Sequence, residues 1–553
     1  MLNSPLSEGI FMQHVHPILT CKAALAYEQE FLGEDKENIW QAMQSAGRLL
    51  GLAILEDYRE RGQWPKTATV LILAGKGHNG GDALLAGALI LAQQPQWKAQ
   101  VVLASAENDL KPASLDALAC LQRAGLDRVT VQTYEQDHWV KGHYTLIIDG
   151  LLGMQCRPPL RSPYRELIEA ANCLDKVHLR AAVDLPSGLG DEACEPLFCA
   201  DFTYATGIAK TPLFKHEAAG AVGRIRYLDI GFFSQPAQAF NLKEGEDTAS
   251  ACGAGIILPS VLEPLQQLRP SQSDKRSYGH LFVLGGSRAM PGALLMATLA
   301  AIRSGVGLAT VFAPSSVTNA LAPLCPEAMA YTLPESAEGH LTAAGRGLLS
   351  ERWEQATALL VGPGMVINEA SAELLREVVR DCPRPLILDA GALQANLLET
   401  LKERPEQASL VILTPHLGEF RRMAGGNPRQ PVSDEELKAF CARHRVVTLL
   451  KGPVSCLCDG KTVLYSLYGG PVLARGGSGD ILAGLTAGLC ARHARQGSIA
   501  KNTEALRLGL KVASQAVTLH GLAAELLARS HGQEAVCTTQ LLDYLGKVKD
   551  AAK

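Results

Sequence analysis

"ARGGSGDILAGLTAGL" (474–489) sets Gly476, Gly477 and Gly479 around Ser478, follows them with Asp480, and runs on into an apolar helical stretch. The start of a helix presents unpaired N–H groups and a partial positive charge, so the amides of residues 476–479 form a natural anion hole. An acid placed there repels phosphate. It makes sense where it removes a proton from a hydroxyl beside the phosphate, which casts Asp480 as a general base in a phosphoryl-handling loop. The plainer reading, an acid that only complements the helix dipole, leaves the glycines before it unexplained.

Outward from that loop, short β-rich runs alternate with small-residue helical stretches, the pattern of parallel sheets flanked by helices. One series reads "TVLILA" (69–74), "AQVVLAS" (99–105), "YTLIID" (144–149) and "LRAAVD" (179–184). A second reads "HLFVLGG" (280–286), "LATVFAP" (308–314), "ALLVGPG" (358–364), "PLILDAG" (385–391), "LVILTP" (410–415) and "VVTLLKG" (446–452). The polar, small-residue stretch 232–255 reads as the linker between them, and a helical stretch near 22–60 precedes the first series. The expected domains are therefore 1–240 and 250–553.

Composition narrows the class. A chain of 553 residues is too long for one ordinary core. Its 47% hydrophobic and 20% charged content is that of a globular protein. A net charge of −4 with scattered Lys and Arg gives no nucleic-acid surface. The 14 cysteines form no CxxC, so they read as reduced thiols rather than a metal or disulfide framework. The apolar stretches 83–92 and 293–302 are about half the length of a membrane span. The first residues lack the charged start and apolar run of a signal peptide. A cytoplasmic protein, away from membranes, is expected.

In the first half, "AGKGHNGGDALLAGALI" (74–90) follows a strand and opens a helix. Gly75-x-Gly77-x-x-Gly80 fits a dinucleotide fingerprint, with Glu107 or Asp109 available for a ribose. Against a plain dehydrogenase domain, Asn79 and Asp82 add an amide and a carboxylate where a pyrophosphate needs only backbone N–H groups. Two further strands end in acid-then-glycine turns, "IIDGLLG" (147–153) and "AVDLPSG" (182–188). Loops at the carboxyl ends of parallel strands converge, so these should meet around a ligand or a monovalent cation.

"HNGGD", "DGLLG" and "VDLPSG" resemble the signature loops of the NAD(P)H-hydrate epimerase domain. The resemblance implies a Rossmann-like three-layer α/β/α fold. It also implies a potassium ion held by Asn79, Asp149 and Ser187, and a substrate lined by His78, Asn79, Gly80, Gly81 and Asp82. The second substrate loop would be Gly153, Met154, Gln155, Cys156, Arg157, Pro158 and Pro159. Asp184 would contact the hydrated ring as acid/base. His78, Ala83, Met154 and Gln155 depart from the family pattern. Loss of a glycine at 155 costs backbone freedom, so weaker epimerisation is expected.

The second half resembles the ADP- or ATP-dependent NAD(P)H-hydrate dehydratase, a ribokinase-like α/β/α domain. The stretches that carry this are "MPGALLMATLAAIRSGVG" (290–307), "VGPG" (361–364), "LDAGAL" (388–393), "TPHLGEF" (414–420), "LKG" (450–452) and "ARGGSGDILAG" (474–484). It implies that Ala293, Gly364, His416 and Asp480 meet the substrate. It implies a nucleotide bound by Lys451, Gly452, Pro453, Val454 and Ser455 with Gly476, Gly477, Ser478 and Gly479. Together the resemblances imply repair of hydrated NADH and NADPH with ADP, or ATP, Mg²⁺ and K⁺, in a homo-oligomer. The competing reading is a sugar or vitamin-precursor kinase fused to a non-catalytic α/β binding domain. The Gly-Gly-Ser-Gly-Asp loop together with "TPHLGE" favours the dehydratase.

Overall fold

The computed structural model of the chain describes residues 13–135, 137–233, 253–404, 410–496 and 503–548. It divides into two compact units, one of residues 16–248 with 528–533, the other of residues 1–15, 249–527 and 534–553. Most of the expected linker, 232–255, lies outside the described residues.

In the first unit, a seven-stranded sheet runs β4 (Val129–Thr133), β3 (Lys98–Leu103), β2 (Thr69–Ala74), β5 (Leu146–Gly150), β6 (Leu179–Val183), β7 (Phe202–Thr206), β9 (Arg224–Leu228). All neighbours are parallel. β1 (Val15–Leu19) pairs with the short β8 (Ala209–Lys210). Side chains alternate between two cores. Val70 and Ile72 face helices Lys36–Tyr58, His78–Gln93 and Pro112–Gly125, while Leu71 and Leu73 face helix Tyr164–Asn172. That is the three-layer arrangement expected of a parallel sheet, whose strands are apolar on both faces. The helical stretch 22–60 is two helices, Cys21–Leu32 and Lys36–Tyr58, separated at Gly33 (φ 63°) and restarted by the Asp35 cap.

The second unit's sheet runs β13 (Met329–Thr332), β12 (Leu308–Ala313), β11 (His280–Leu284), β14 (Ala358–Val361), β15 (Leu386–Leu388), β16 (Val411–Leu413), β17 (Val447–Leu450). It then continues through β18 (Ser455–Cys458), β19 (Val463–Ser466) and β10 (Ala254–Ile257). It is parallel except where β18 reverses against β17 and β19. Phe282 and Leu284 pack towards helix Glu369–Asp381. On the sheet's other side, helix Ser478–Gln496 lies on β11 and β14 and crosses helix Pro291–Arg303 closely. A Cβ at Gly484 would strike the Ala297 backbone, and one at Gly488 would come 2.8 Å from Ala301 O. Small residues in "ILAGLTAGL" therefore fix how near Asp480 comes to the sheet edge.

The α/β class in two sheet units agrees with the sequence. In each sheet the chain order reverses once beside the first strand, between β2 and β5 and between β11 and β14. Crevices at such reversals open outside the carboxyl ends of the strands.

Candidate active sites

In the first unit, the carboxyl ends of β2 and β5 open into a cavity of about 470 Å³. Three of the four glycines of "GKGHNGGD" are spent on packing. A Cβ at Gly80 would strike the Gly75 carbonyl, and one at Gly81 would sit 2.6 Å from Met43 Sδ. Gly77, the helix N-cap, has nothing within 4 Å. His78, Asn79 and Asp82 line the cavity with Gly153, Met154, Gln155, Cys156 and Asp184. Gly80, Gly81, Arg157, Pro158 and Pro159 do not line it. Gly80 and Gly81 face protein, and residues 157–159 are exposed beyond the loop. Glu107 and Asp109 stand apart in an exposed turn after β3.

Asn79, Asp149 and Ser187 are brought together. Asp149 is fully buried. Its carboxylate accepts from Ser187 Oγ (2.7 Å), Ser187 N (2.8 Å) and Leu151 N (3.2 Å). Ser187 Oγ also accepts from Leu152 N (3.0 Å), and Asn79 Nδ2 donates to Leu152 O (2.9 Å). Burial pushes Asp149 up to about 6, offset in part by these bonds.

Asp184 sits at φ 65°, a left-handed position rarely held by a non-glycine residue unless the surroundings enforce it. Its carboxylate accepts from the ammonium of fully buried Lys210 and from Thr206 Oγ1 (3.3 Å). Two further acids are pushed up by burial: Asp82 well above the usual carboxyl range, and Glu28 to about 7. Asp82 Oδ1 is buried without a partner. Glu28, Thr206 and Lys210 were not singled out in the sequence.

The loop departures fit better than expected. Neither Met154 nor Gln155 takes a positive φ, so the glycine freedom this loop was expected to miss is not called upon. Ala83 is buried where Gly150 leaves room, since a Cβ at Gly150 would lie 2.6 Å from the Ala83 methyl.

In the second unit, loops after β15, β16 and β17 bring Asp389, Glu419 and Lys451 to the start of helix Ser478–Gln496. Gly477 holds φ 91°. Gly476 has nothing within 4 Å, and a Cβ at Gly479 would lie 3.2 Å from Lys451 Nζ. Lys451 Nζ donates to Asp389 Oδ1 (2.9 Å) and lies 3.9 Å from Glu419 Oε2. Burial works against its charge, but Asp389, Glu419 and Asp480 together hold it above the ordinary lysine range. Thr414 Oγ1 donates to the same Asp389 oxygen (2.8 Å). Asp480 is half-buried and pushed up to about 6, by burial first and by Asp389 next, with Lys451 opposing. Ser478 Oγ lies 3.4 Å from Nε2 of buried His520, whose pKa burial lowers to about 4.

His416 caps helix Leu417–Ala424. Its Nδ1 accepts from Gly418 N (3.0 Å) and Glu419 N (3.3 Å), while Glu419 Oε2 accepts from His416 N (2.8 Å). With Nδ1 accepting, Nε2 is the protonated nitrogen, and it lies 3.5 Å from Glu419 Oε1. Gly364 (φ 67°) and Ala293 are neighbours, a Cβ at Gly364 lying 3.2 Å from the Ala293 methyl. Val454 and Ser455 are half-buried where β18 begins, with Gly452 and Pro453 exposed before them. Asp389 and Glu419 fall inside stretches read as family motifs, yet only the fold shows both on Lys451.

A glycine-led helix start with a lysine and an acid at its mouth, and a separate acid-lined cavity, define a two-site α/β enzyme. Comparison with known proteins gives it a family. The NAD(P)H-hydrate dehydratase family matches residues 281–547, and the YjeF-related protein N-terminus family matches residues 41–212. The chain is similar to the bifunctional NAD(P)H-hydrate repair enzyme of Gloeobacter violaceus, 33% identical over 88% of this chain and 89% of that one. It is also similar to that of Moorella thermoacetica, 30% identical over 86% of each chain. A crystal structure of ADP/ATP-dependent NAD(P)H-hydrate dehydratase from Bacillus subtilis, co-crystallized with ATP/Mg2+, covers 52% of this chain and 94% of its own, at 28% identity and a TM-score of 0.41. The chain belongs to the bifunctional NAD(P)H-hydrate repair enzymes.

Proposed function

We propose that the second unit dehydrates the 6S epimer of hydrated NADH and NADPH, with ADP or ATP giving up its terminal phosphoryl group. The first unit converts the 6R epimer to 6S. The observation that carries the dehydratase reading is Asp480 standing directly behind a helix-start loop in which Gly476 faces open space, with Lys451 against Gly479. Asp480 takes the proton of the C6 hydroxyl as its oxygen accepts the phosphoryl group. The C6–O bond of that phosphate ester then breaks to release phosphate, a C5 proton passes to the departing phosphate, and the C5–C6 double bond returns. Lys451 and the amides stabilise charge on the transferring group, which is the greater part of phosphoryl-transfer catalysis. Mg²⁺ accompanies the nucleotide phosphates and supplies charge neutralisation there. His416 and the small pair Ala293 and Gly364 face the substrate, and residues 452–455 the nucleotide.

In the first unit, Asp184 is the acid/base and Asn79, Asp149 and Ser187 hold K⁺. Support for the cation comes from the donor chemistry: oxygen ligands around a buried carboxylate on which only the neutral groups Ser187 and Leu151 act. The domains follow 1–240 and 250–553, and the enzyme works as a cytoplasmic homo-oligomer with ADP as its usual donor.

The test is to give the full chain the 6S fraction with ADP, with ATP, or with no nucleotide. Absorbance at the NADH band should return only with a nucleotide. Nucleotide consumed with ribose or hydroxymethylpyrimidine, and not with the hydrate, would instead mark a small-molecule kinase.

A further inference from the structure

The first unit's cavity holds an acid that no motif marks. Glu28 lies on helix Cys21–Leu32, whose Leu25, Glu28, Gln29 and Leu32 line the cavity as one stripe at helical spacing. The helix is held firmly. Asp191 accepts from Cys21 N (2.8 Å) and Lys22 N (3.0 Å), Thr20 Oγ1 from Ala23 N (3.1 Å), and Tyr27 donates to Phe232 O (2.7 Å). A carboxyl group on such a stripe is costly unless it has a task or a partner. Burial, opposed by the charge of Lys210 and reinforced by that of Asp184, pushes Glu28 up to about 7. An acid of that strength is suited to both giving and taking a proton near neutrality.

We propose that Glu28 is the catalytic proton donor that works with Asp184 in epimerisation, the two reaching the C6 hemiaminal from separate elements of one cavity. The proposal rests on the epimerase reading above. Asp184 takes the proton of the C6 hydroxyl, and the C6–N1 bond breaks as C6 becomes an aldehyde carbon. The bond's electron pair stays on N1, which receives the Glu28 proton. Rotation about C5–C6 turns the other face of the aldehyde to N1. Closure forms the C6–N1 bond, returns the N1 proton to Glu28 and gives the Asp184 proton to the oxygen. Atoms and charges balance without a co-reactant. Lys210, bonded to Asp184 and nearly inaccessible, is the positioning residue that keeps that carboxylate in place.

The other titratable or charged groups around Glu28 are Asp82, Asp184 and Lys210, with Lys76, His78, Lys111, Cys156 and Tyr164 also on the cavity wall. Burial raises Cys156 and Tyr164, which stay protonated near neutrality. The experiment follows conversion of the 6R fraction of hydrated NADH to 6S by the full chain, chromatographically and without nucleotide. Glu28→Gln should slow it at least about a hundredfold, the ordinary range for a lost general acid. Glu28→Asp should keep a measurable part. The wild-type rate should fall as pH rises through about 7, and Glu28→Gln should lose that fall. If Glu28→Gln stays within threefold of wild type with an unchanged melting curve, the proposal is overturned. Should that variant not fold, a wild-type rate independent of pH between 6 and 8, or Glu28→Asp equal to wild type, overturns it instead. If Asp184→Asn stops conversion and Glu28→Gln does not, only this proposal falls. If the wild-type chain converts 6R no faster than buffer does, the epimerase reading falls and takes this proposal with it.

Discussion

The two halves carry glycine-rich turns that look alike on paper, "GKGHNGGD" and "GGSGD", and use them in opposite ways. At the first, Gly75 and Gly80 lack side chains because another backbone passes there, and Gly81 because Met43 does. At the second, Gly476 faces open space, Gly477 meets the flexible end of Met296 and the Thr538 methyl, and Gly479 faces the Lys451 ammonium. In the first turn Gly75 and Gly80 let backbones touch; in the second Gly476 leaves space open and Gly479 meets a lysine. Each half also sets a lysine against an aspartate at a sheet edge: Lys210 on Asp184, Lys451 on Asp389. Lys210 is sealed in, whereas Lys451 retains some exposure and stands at the anion hole. A glycine count does not separate these uses. What each missing Cβ faces does.

The largest effect expected is at the general base. Asp480→Asn should lower dehydration about 10²–10⁴-fold while nucleotide still raises the melting temperature. Retention of half the wild-type rate would reduce Asp480 to a helix-start acid and remove the functional contrast. Next, Lys451→Met should weaken ADP and ATP binding by roughly 10- to 150-fold, the worth of a charge-assisted contact of about 1.5–3 kcal/mol. Titration calorimetry reads this directly, and unchanged affinity would leave Lys451 as a purely structural partner of Asp389.

A smaller effect concerns pH. Because the free enzyme's Asp480 is pushed up to about 6 and must be ionised to act, kcat/KM for dehydration should fall about tenfold per unit below that pH and level off above it. Epimerisation should run the other way, falling as pH rises through about 7. Parallel profiles for the two reactions would contradict the assignment of different groups.

The smallest effects are in stability. Gly80→Ala drives a methyl into the Gly75 carbonyl and should cost about 1–3 kcal/mol, lowering the melting temperature of the first unit. Gly476→Ala meets nothing within 4 Å and should leave melting nearly unchanged. Equal shifts would blur the distinction between packing glycines and ligand-facing ones.

Much of this was legible in the chain. The continuous apolar runs of the central strands announced themselves, "TVLILA" falling on 69–74 as read. The edge strands β4 and β13 and the antiparallel β18–β19 pair did not: they are short, polar or exposed, and carry no apolar run to mark them. Asp149, Ser187 and Asn79 were recognisable as a set through the resemblance of three glycine-marked loops to those of the epimerase family. Lys210 was not, since "GIAKTP" has no motif, and its meaning arises only when β8 brings it under Asp184. Glu28 left a faint signal, an acid among Leu25 and Leu32 on one helical stripe. Helix packing, rather than sequence spacing, decides that this stripe faces a cavity.

The measurement that bears most directly on the division of labour uses a mixture of hydrated NADH epimers and the full chain, in two runs that differ only in ADP. Both epimers and NADH are followed by chromatography. Without ADP, the epimer ratio should relax quickly while no NADH forms. With ADP, both fractions should return to NADH at the dehydration rate. NADH formed without nucleotide, or a 6R fraction that persists at the rate of its spontaneous conversion, would contradict the account.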